Sequence, residues 1–133
     1  MKLQRISYGL FEHELDCPFA IDSERWHQLD GEVTLELADG RKIYISWVSE
    51  PSQYCIGTSA KTHFNSDVLK SKEMTTHPYW HKLVGTEIET RFLDRECQVF
   101  EIRGGTSALY LSSQYDGGEF YGDCVRVSQS IPL

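Results

Sequence analysis

The sequence lacks any long run of apolar residues. A helix that spans a bilayer needs about 20 consecutive apolar residues, and the 133-residue chain has no such stretch. The basic start, residues 1–5, is followed by Glu12 and Glu14 where a signal peptide would need its apolar segment. We therefore expect a protein that neither enters a membrane nor is exported, and that works in the cytoplasm.

Cysteines are few and far apart. Cys17, Cys55, Cys97 and Cys124 are separated by 38, 42 and 27 residues. Zinc sites and small secreted scaffolds bring their cysteines closer together in the sequence. We expect reduced cysteines that pack as small apolar residues, and one or two disulfides are the alternative that the spacing leaves open.

Signatures of catalysis and of metal binding are also missing. His77 and His81 have the i, i+4 spacing that can share a metal on a helix, but no third ligand lies nearby. Acidic residues precede Cys17, and their negative charge disfavours a reactive thiolate. The glycine pairs 104–105 and 117–118 match neither a phosphate loop nor a dinucleotide-binding fingerprint. The sequence thus predicts no metal, no cofactor and no enzymatic activity.

The composition is that of one ordinary folded domain. The chain is 40% hydrophobic and 25% charged, and its length is near the commonest domain size. No linker, repeat or low-complexity segment divides it, so we predict a single domain over residues 1–133. Three Trp, seven Tyr and six Phe favour a core built mainly from strands.

The clearest local pattern is that of a β-hairpin. Residues 32–37 alternate polar and apolar side chains, and residues 42–47 do so again. Asp39-Gly40 lies between the two segments and suits the positive φ angles of a tight turn. We therefore predict two antiparallel strands joined at this turn.

The second half of the chain predicts an antiparallel β-meander, because short strand-like segments are separated by turns that contain glycine. Four strands are predicted there, at residues 87–92, 97–103, 108–111 and 120–127. Two weaker strand predictions fall in the first half, at Lys2–Tyr8 and Gln53–Thr58.

Two short helices are predicted. His77-Pro78 is a typical helix start, residues 80–84 then place apolar side chains on one face, and Gly85 can end the helix. The other predicted helix is Ser23–Leu29, with an acidic or hydroxyl cap before it. The polar stretch Ser59–Thr76 has few periodic cues and is predicted to be a long loop.

These elements predict a fold that is mainly β, of the α+β class. An antiparallel sheet of this size hides its edges by curling or by packing on a second sheet. We expect a half-open barrel or a sandwich, with one or two short helices covering an end.

The net charge of −7 is unevenly distributed along the chain. Residues 1–40 hold nine acids and three bases, whereas residues 41–133 hold eleven acids and ten bases. An acidic surface repels nucleic-acid phosphates and anionic lipids, and it attracts basic proteins. We predict a basic protein partner and neither nucleic-acid nor membrane binding. The alternative is that the charge only keeps the protein in solution.

Two groups of residues are the candidate partner-binding surfaces. Tyrosine beside acids suits a protein interface, because its ring provides rigid contact area while the acids select a basic partner. The first group consists of Glu12, Glu14, Asp16, Asp22, Glu24 and Asp30, and the second consists of Tyr115, Asp116, Glu119, Tyr121 and Asp123.

The hairpin at Val33–Trp47, the segment Trp80-x-x-Leu83-Val84-Gly85 and the terminal meander occur together in a small acidic chain. In this combination the chain resembles the small β-rich bacterial immunity proteins of contact-dependent and other polymorphic toxin systems. The resemblance implies inhibition of a toxin domain, often a nuclease, by covering its active site or a nearby surface.

Two other functions are compatible with the sequence. One is a small-molecule-binding or enzymatic β-barrel that uses an interior pocket near His63, His77 or His81. A filled interior would favour the binding protein over this alternative. The other is a structural subunit of a larger assembly, which a large exposed apolar patch would indicate.

Overall fold

Ten strands and two short helical turns make up the described part of the chain. The computed structural model describes residues 1–15, 26–49, 55–65, 67–113 and 124–131. The strands are β1 (Leu3–Leu10), β2 (Trp26–Leu29), β3 (Glu32–Leu37), β4 (Lys42–Val48), β5 (Cys55–Ser59), β6 (Lys70–Glu73), β7 (Ile88–Phe92), β8 (Val99–Gly104), β9 (Ser107–Ser112) and β10 (Val125–Ser128). Helix α1 spans Pro78–His81, and a 3-10 turn spans Glu12–Glu14. The predicted mainly β fold is confirmed.

The strands form two antiparallel sheets over one core. The first sheet has the order β5-β4-β3-β1-β6, and the second has the order β2-β10-β9-β8-β7. Both sheets contribute fully buried side chains to the same apolar cluster, including Ile6, Leu35, Ile102, Leu111 and Val127. Two sheets that share a core in this way form a sandwich.

The two sheets are also joined at one corner. Lys2, just before β1, forms an antiparallel bridge with Glu87, just before β7. Next to this bridge, the N–H of Leu3 donates to the carbonyl oxygen of Thr86 at 3.1 Å. The described strands thus curl from one sheet toward the other at this corner without closing into a barrel.

The predicted hairpin is confirmed as β3 and β4. Leu35 lies opposite Ile43, and Gly40 adopts a φ of 92° in the turn. The carboxylate of Asp39 accepts the backbone N–H of Arg41 at 3.0 Å and lies 2.7 Å from its guanidinium. These contacts hold the Asp-Gly turn that the sequence indicated.

The predicted meander and the two weaker strands are also confirmed. β7, β8, β9 and β10 follow one another as neighbours in the second sheet. Gly105, in the turn between β8 and β9, has a φ of 60°. β1 and β5 occupy the positions of the two weaker strand predictions. Residues 120–123 of the last predicted strand lie outside the described residues.

Helix α1 begins as predicted. His77 is the residue before the helix, and its Nδ1 accepts the backbone N–H of Tyr79 at 3.2 Å, while Pro78 takes the first helical position. Trp80 is fully buried, but the helix ends at His81, before the predicted end at residue 84, and Gly85 with its φ of 83° lies four residues further on in a turn. Neither helical turn of the described chain is long and apolar enough to cross a membrane.

The predicted helix at Ser23–Leu29 is wrong where it can be compared. Trp26–Leu29 is strand β2, in which His27 and Leu29 are buried and the alternate residues are half-buried. This period of two is typical of a strand with one face in the core. β2 pairs with β10, placing Leu29 opposite Val125. Residues 23–25 lie outside the described residues.

The predicted loop at Ser59–Thr76 contains a strand, β6. This strand pairs with β1 and places Lys72 opposite Tyr8. All four of its residues are exposed, so it has no apolar alternation that a sequence pattern could reveal. Lysines on an edge strand discourage pairing with other chains.

Two of the cysteines are buried, as expected for small apolar residues. These are Cys55 and Cys124, whereas Cys17 lies outside the described residues. Cys97, in the loop between β7 and β8, is a free thiol. Burial, the neighbouring Cys55 and the carboxylate of Asp94 all raise the pKa of the Cys97 thiol. A raised pKa leaves little thiolate at neutral pH, so Cys97 is not an activated nucleophile.

Candidate functional site

One end of the sandwich, here termed the rim, holds the described residues of the first predicted surface. β1, β2, β4 and β9 end at the rim, and β3, β5, β8 and β10 begin there. Glu12, Glu14 and Asp30 lie at this end. The other predicted contacts lie outside the described residues: Asp16, Asp22, Glu24, Tyr115, Asp116, Glu119, Tyr121 and Asp123.

Glu14 is buried, with 4% of its surface exposed. Its Oε1 accepts the backbone N–H of Phe11 at 2.9 Å, and its Oε2 accepts the backbone N–H of Asp30 at 2.6 Å. Burial raises the pKa of the Glu14 carboxyl group. Both carboxylate oxygens of Glu14, a predicted partner contact, are thus engaged within the chain. Glu14 instead ties the 3-10 turn to the turn between β2 and β3.

Glu12 and Asp30 are accessible at the rim but differ in their surroundings. The carboxylate of Asp30 lies 3.0 Å from Nε2 of His13, a contact that becomes an ion pair when His13 is protonated. Glu12 is exposed and forms no ion pair with a described residue. Glu12 therefore has no charged partner among the described residues, whereas Asp30 lies beside His13.

A second segment, Asp67–Lys70, lies against the rim because two glycines leave room for it. A Cβ atom on Gly9 would lie 2.9 Å from Cδ1 of Leu69, and a Cβ atom on Gly31 would lie 3.2 Å from Cδ2 of Leu69. Leu69 thus packs directly on bare backbone at the end of β1. This contact places Asp67 and Val68 beside the 3-10 turn.

The 3-10 turn and this second segment enclose an open groove of about 650 Å³, which we call the rim groove. The ring of Phe11 stacks on His13 with 5.9 Å between centroids, and it meets Phe64 edge-on at 5.3 Å. Val68 is 45% exposed. Acidic side chains border these apolar walls. The lining residues are Phe11, Glu12, His13, Asp67, Val68 and Lys70.

Several other acids of the first forty residues are engaged within the fold. Glu32 is buried and accepts the backbone N–H of His63 at 2.9 Å. Glu36 lies 3.8 Å from an arginine of β1, and Asp39 pairs with Arg41. In the described residues, the acidic first third therefore does not form one continuous free face.

Much of the remaining negative charge belongs to three sequence segments that lie outside the described residues. Residues 16–25, 50–54 and 114–123 hold seven of the twenty acids and one of the thirteen bases. Each segment is flanked by at least one described residue at this end of the sandwich, namely Leu15, Cys55 and Cys124. The described residues on both sides of 50–54 and of 114–123 lie at the rim, whereas of those beside 16–25 only Leu15 does, because β2 begins with Trp26 away from it.

The three histidines proposed for an interior pocket are not brought together. His63 lies beside Glu32 on the side of the first sheet that faces away from the core, with its Nε2 3.0 Å from the carbonyl oxygen of Tyr44. His77 packs on the opposite side of this sheet, at the base of α1. His81 is exposed. These positions leave no common pocket for the three rings.

A different histidine, His27, joins His77 in the interior. The ring centroids of the two histidines are 4.5 Å apart. The hydroxyl of Tyr8 lies 2.8 Å from Nδ1 of His27, and it accepts the indole N–H of Trp80 at 2.8 Å. Burial raises the pKa of the Tyr8 phenol, so it stays protonated.

This interior cluster extends from the core toward the surface. Trp80, Tyr8 and His27 are at most 1% exposed. His27 also stacks on Tyr79, with 4.4 Å between centroids and 17° between planes. The rings fill the space beneath α1, and the polar atoms of Tyr8, His27 and Trp80 form hydrogen bonds within the cluster. Sequence patterns missed the cluster because Tyr8 and Trp80 are 72 residues apart and His27 was assigned to a helix.

A second polar network lies on the outer face of the second sheet. The buried carboxylate of Glu101 lies 3.0 Å from Nε of Arg91 and 3.3 Å from Nη2 of Arg103. Burial opposes its ionisation, but hydrogen bonds from Arg103 and Arg91 outweigh burial and hold the pKa of Glu101 below its usual range. Glu89 lies opposite Arg103 on the same face, so two acids and two bases balance there.

Neither a metal centre nor a known relative identifies the site. Among the residues that the structure describes, no group of three or more His, Cys, Asp or Glu side chains is placed to hold a metal ion. Comparison of the chain with protein-family models, curated proteins and solved structures finds no match. The function is therefore inferred from the rim and the interior alone.

Proposed function

We propose that this chain is a protein-binding module that neutralises a basic partner, in the manner of a bacterial immunity protein acting on a toxin domain. The observation that carries the proposal is the rim. An apolar groove bordered by the exposed carboxylates of Glu12 and Asp67 lies there. The partner would be met in the cytoplasm of the cell that makes the protein.

The acidic border of the groove would attract a basic partner electrostatically. A nuclease that grips phosphate is basic around its active site, so an acidic inhibitor carries the charge of the substrate it displaces. Complementary charge can raise the association rate to about 10⁸–10⁹ M⁻¹s⁻¹ at low salt, and close charge pairs can contribute ~1.5–7 kcal/mol of coupling. Fast association is most useful to an inhibitor that must bind its toxin before the toxin acts.

The packing of the interior favours a protein-binding module over a small-molecule enzyme. Tyr8, His27 and Trp80 are buried and hydrogen-bonded to one another. Such a filled interior is what a scaffold for a binding surface requires, whereas a small-molecule enzyme needs convergent polar groups that open into a pocket. The polar groups of this cluster point at each other.

The test is co-expression with a basic toxin domain encoded beside this chain. We expect cell growth to be restored and a stoichiometric complex to form, with an affinity that falls steeply as salt is raised. Asp67→Lys should weaken the complex and flatten its salt dependence. Glu89→Lys makes the same change of charge at an exposed site on β7 and is the matched control. Absence of both rescue and complex would reject the proposal.

A further inference from the structure

We infer that the rim groove is the docking site, and that the partner fills it with an apolar side chain flanked by lysine or arginine. This inference rests on the proposed function and deepens it by naming the surface and the chemistry of the contact. The groove lies between Phe11–His13 on one side and Asp67–Lys70 on the other. Its volume of about 650 Å³ is in the range of pockets that hold a ligand of several side chains.

Both walls of the groove are fixed before any partner arrives. The 3-10 turn is held by the two backbone hydrogen bonds that Glu14 accepts, from Phe11 and from Asp30. The opposite wall is held where Leu69 packs on Gly9 and Gly31. A preorganised surface loses little conformational entropy on binding, and this favours affinity.

The apolar character of the groove calls for an apolar anchor. Val68 is 45% exposed, and the partly buried ring of Phe11 lies beside it. Exposed apolar side chains grouped within a groove commonly mark a protein contact, and the energy of such a contact is concentrated in a buried anchor.

The charges around the groove select what flanks that anchor. Glu12 and Asp67 are both exposed, and neither forms an ion pair with a described residue. Lys70 is the one base among the lining residues, and Asp30 behind His13 adds a further carboxylate. The border is therefore acidic, and it is complementary to lysine or arginine on each side of the anchor.

The experiment uses the full chain labelled with ¹⁵N and three five-residue probes. These are Lys-Lys-Leu-Lys-Lys, Lys-Lys-Ala-Lys-Lys and Glu-Glu-Leu-Glu-Glu. Amide shifts measured during titration locate each probe and give its Kd. We expect shifts at residues 11–15 and 67–70, with the leucine probe binding about tenfold tighter than the alanine probe. The acidic probe should bind at least tenfold more weakly than the basic one.

Variants separate the apolar anchor from the charged border. Val68→Ser should remove the preference for leucine over alanine, and Glu12→Lys should weaken both basic probes about equally. Glu89→Lys, on β7, is the matched charge control and should leave all affinities unchanged. All three changed side chains are exposed, so we expect each variant to keep its fold. Thermal unfolding of each variant checks this.

The titrations test the docking site, the apolar anchor and the basic partner separately. Basic probes that bind with shifts away from residues 11–15 and 67–70 would overturn the docking site while leaving the proposed function intact. Equal affinity for the leucine and alanine probes would overturn the apolar anchor. Equal affinity for basic and acidic probes, or no binding by any probe at millimolar concentration, would count against both the inference and a basic partner.

Discussion

A Cβ atom on Gly31 would lie 1.8 Å from the carbonyl oxygen of Gly9. The backbone at the end of β1 therefore approaches the turn between β2 and β3 more closely than a side chain permits. Leu69 packs across the same place. One wall of the rim groove thus depends on two residues that have no side chain.

Gly31→Ala is expected to destabilise the protein by about 2–3 kcal/mol, because backbone atoms must move to admit the new Cβ. Gly9→Ala is the matched control. Its Cβ meets the end of the flexible Leu69 side chain at 2.9 Å, so we expect a loss of only about 1 kcal/mol. Urea unfolding of both variants measures the difference, and equal losses would contradict the backbone contact.

Glu14→Gln is expected to lower stability by about 1–3 kcal/mol at neutral pH. Glutamine has one acceptor oxygen and an NH₂ donor, so it cannot accept the N–H groups of both Phe11 and Asp30. The measurement is urea unfolding of the variant and of Glu12→Gln, which changes an exposed neighbour and should alter stability by less than about 0.5 kcal/mol.

Glu14→Gln should also change how the free energy of unfolding depends on pH. The pKa of Glu14 is raised in the folded protein above its ordinary value of 4.5, so the folded state binds more protons than the unfolded state between the two values. The proton-linked part of the contribution of Glu14 is therefore fully present below pH 4.5 and is lost as pH rises through the raised pKa, whereas the two hydrogen bonds that its oxygens accept remain at neutral pH. Glu14→Gln should remove this part of the slope, and an unchanged slope would contradict the burial of the carboxyl group.

Tyr8→Phe is expected to destabilise the protein by about 1–3 kcal/mol, because it leaves the buried indole N–H of Trp80 without its acceptor. The Trp80 indole signal in a ¹H–¹⁵N spectrum should move at the same time. Tyr44→Phe is the control, since Tyr44 is only partly buried and its described contact is made by its backbone carbonyl. Similar losses in both variants would show that the Tyr8 hydroxyl does not bridge Trp80 and His27.

Glu101→Gln is expected to cost about 1–2 kcal/mol at neutral pH, since Arg91 and Arg103 lose a shared carboxylate but remain exposed to water. The pKa of Glu101 is held below its ordinary value of 4.5. Its contribution is thus present above pH 4.5 and is lost as pH falls through the lowered pKa. Acid unfolding should be less steep in the variant, and Glu89→Gln on the same face should leave it unchanged.

Some elements could be predicted because their determinants are neighbours in the chain. The β3–β4 hairpin needs only alternation on each side of Asp39-Gly40, and these local features agree with the final pairing. Helix α1 is likewise specified by His77, which caps it, and by Pro78 at its first position. Where local preference and tertiary packing agree, a pattern is sufficient.

Other elements exist only because of distant partners. Trp26–Leu29 has the cap and stop signals of a helix, yet pairing with β10 makes it a strand. Lys70–Glu73 has no apolar alternation at all, and its hydrogen bonds to β1 define it. A partner some 60 to 100 residues away can outweigh local propensity, because burial and ladder hydrogen bonds exceed the small intrinsic preferences of a short segment.

The sequence by itself determined the acidic net charge and the mainly β class, and it drew attention to the acids of the first third. Only the tertiary structure decided which of the described acids are exposed and which are buried. Glu12 and Glu14 are two residues apart and alike in chemistry, but the backbone N–H of Asp30 draws Glu14 inward while Glu12 stays exposed. Burial depends on what packs from elsewhere in the chain, and a local pattern of charges carries no information about that neighbour.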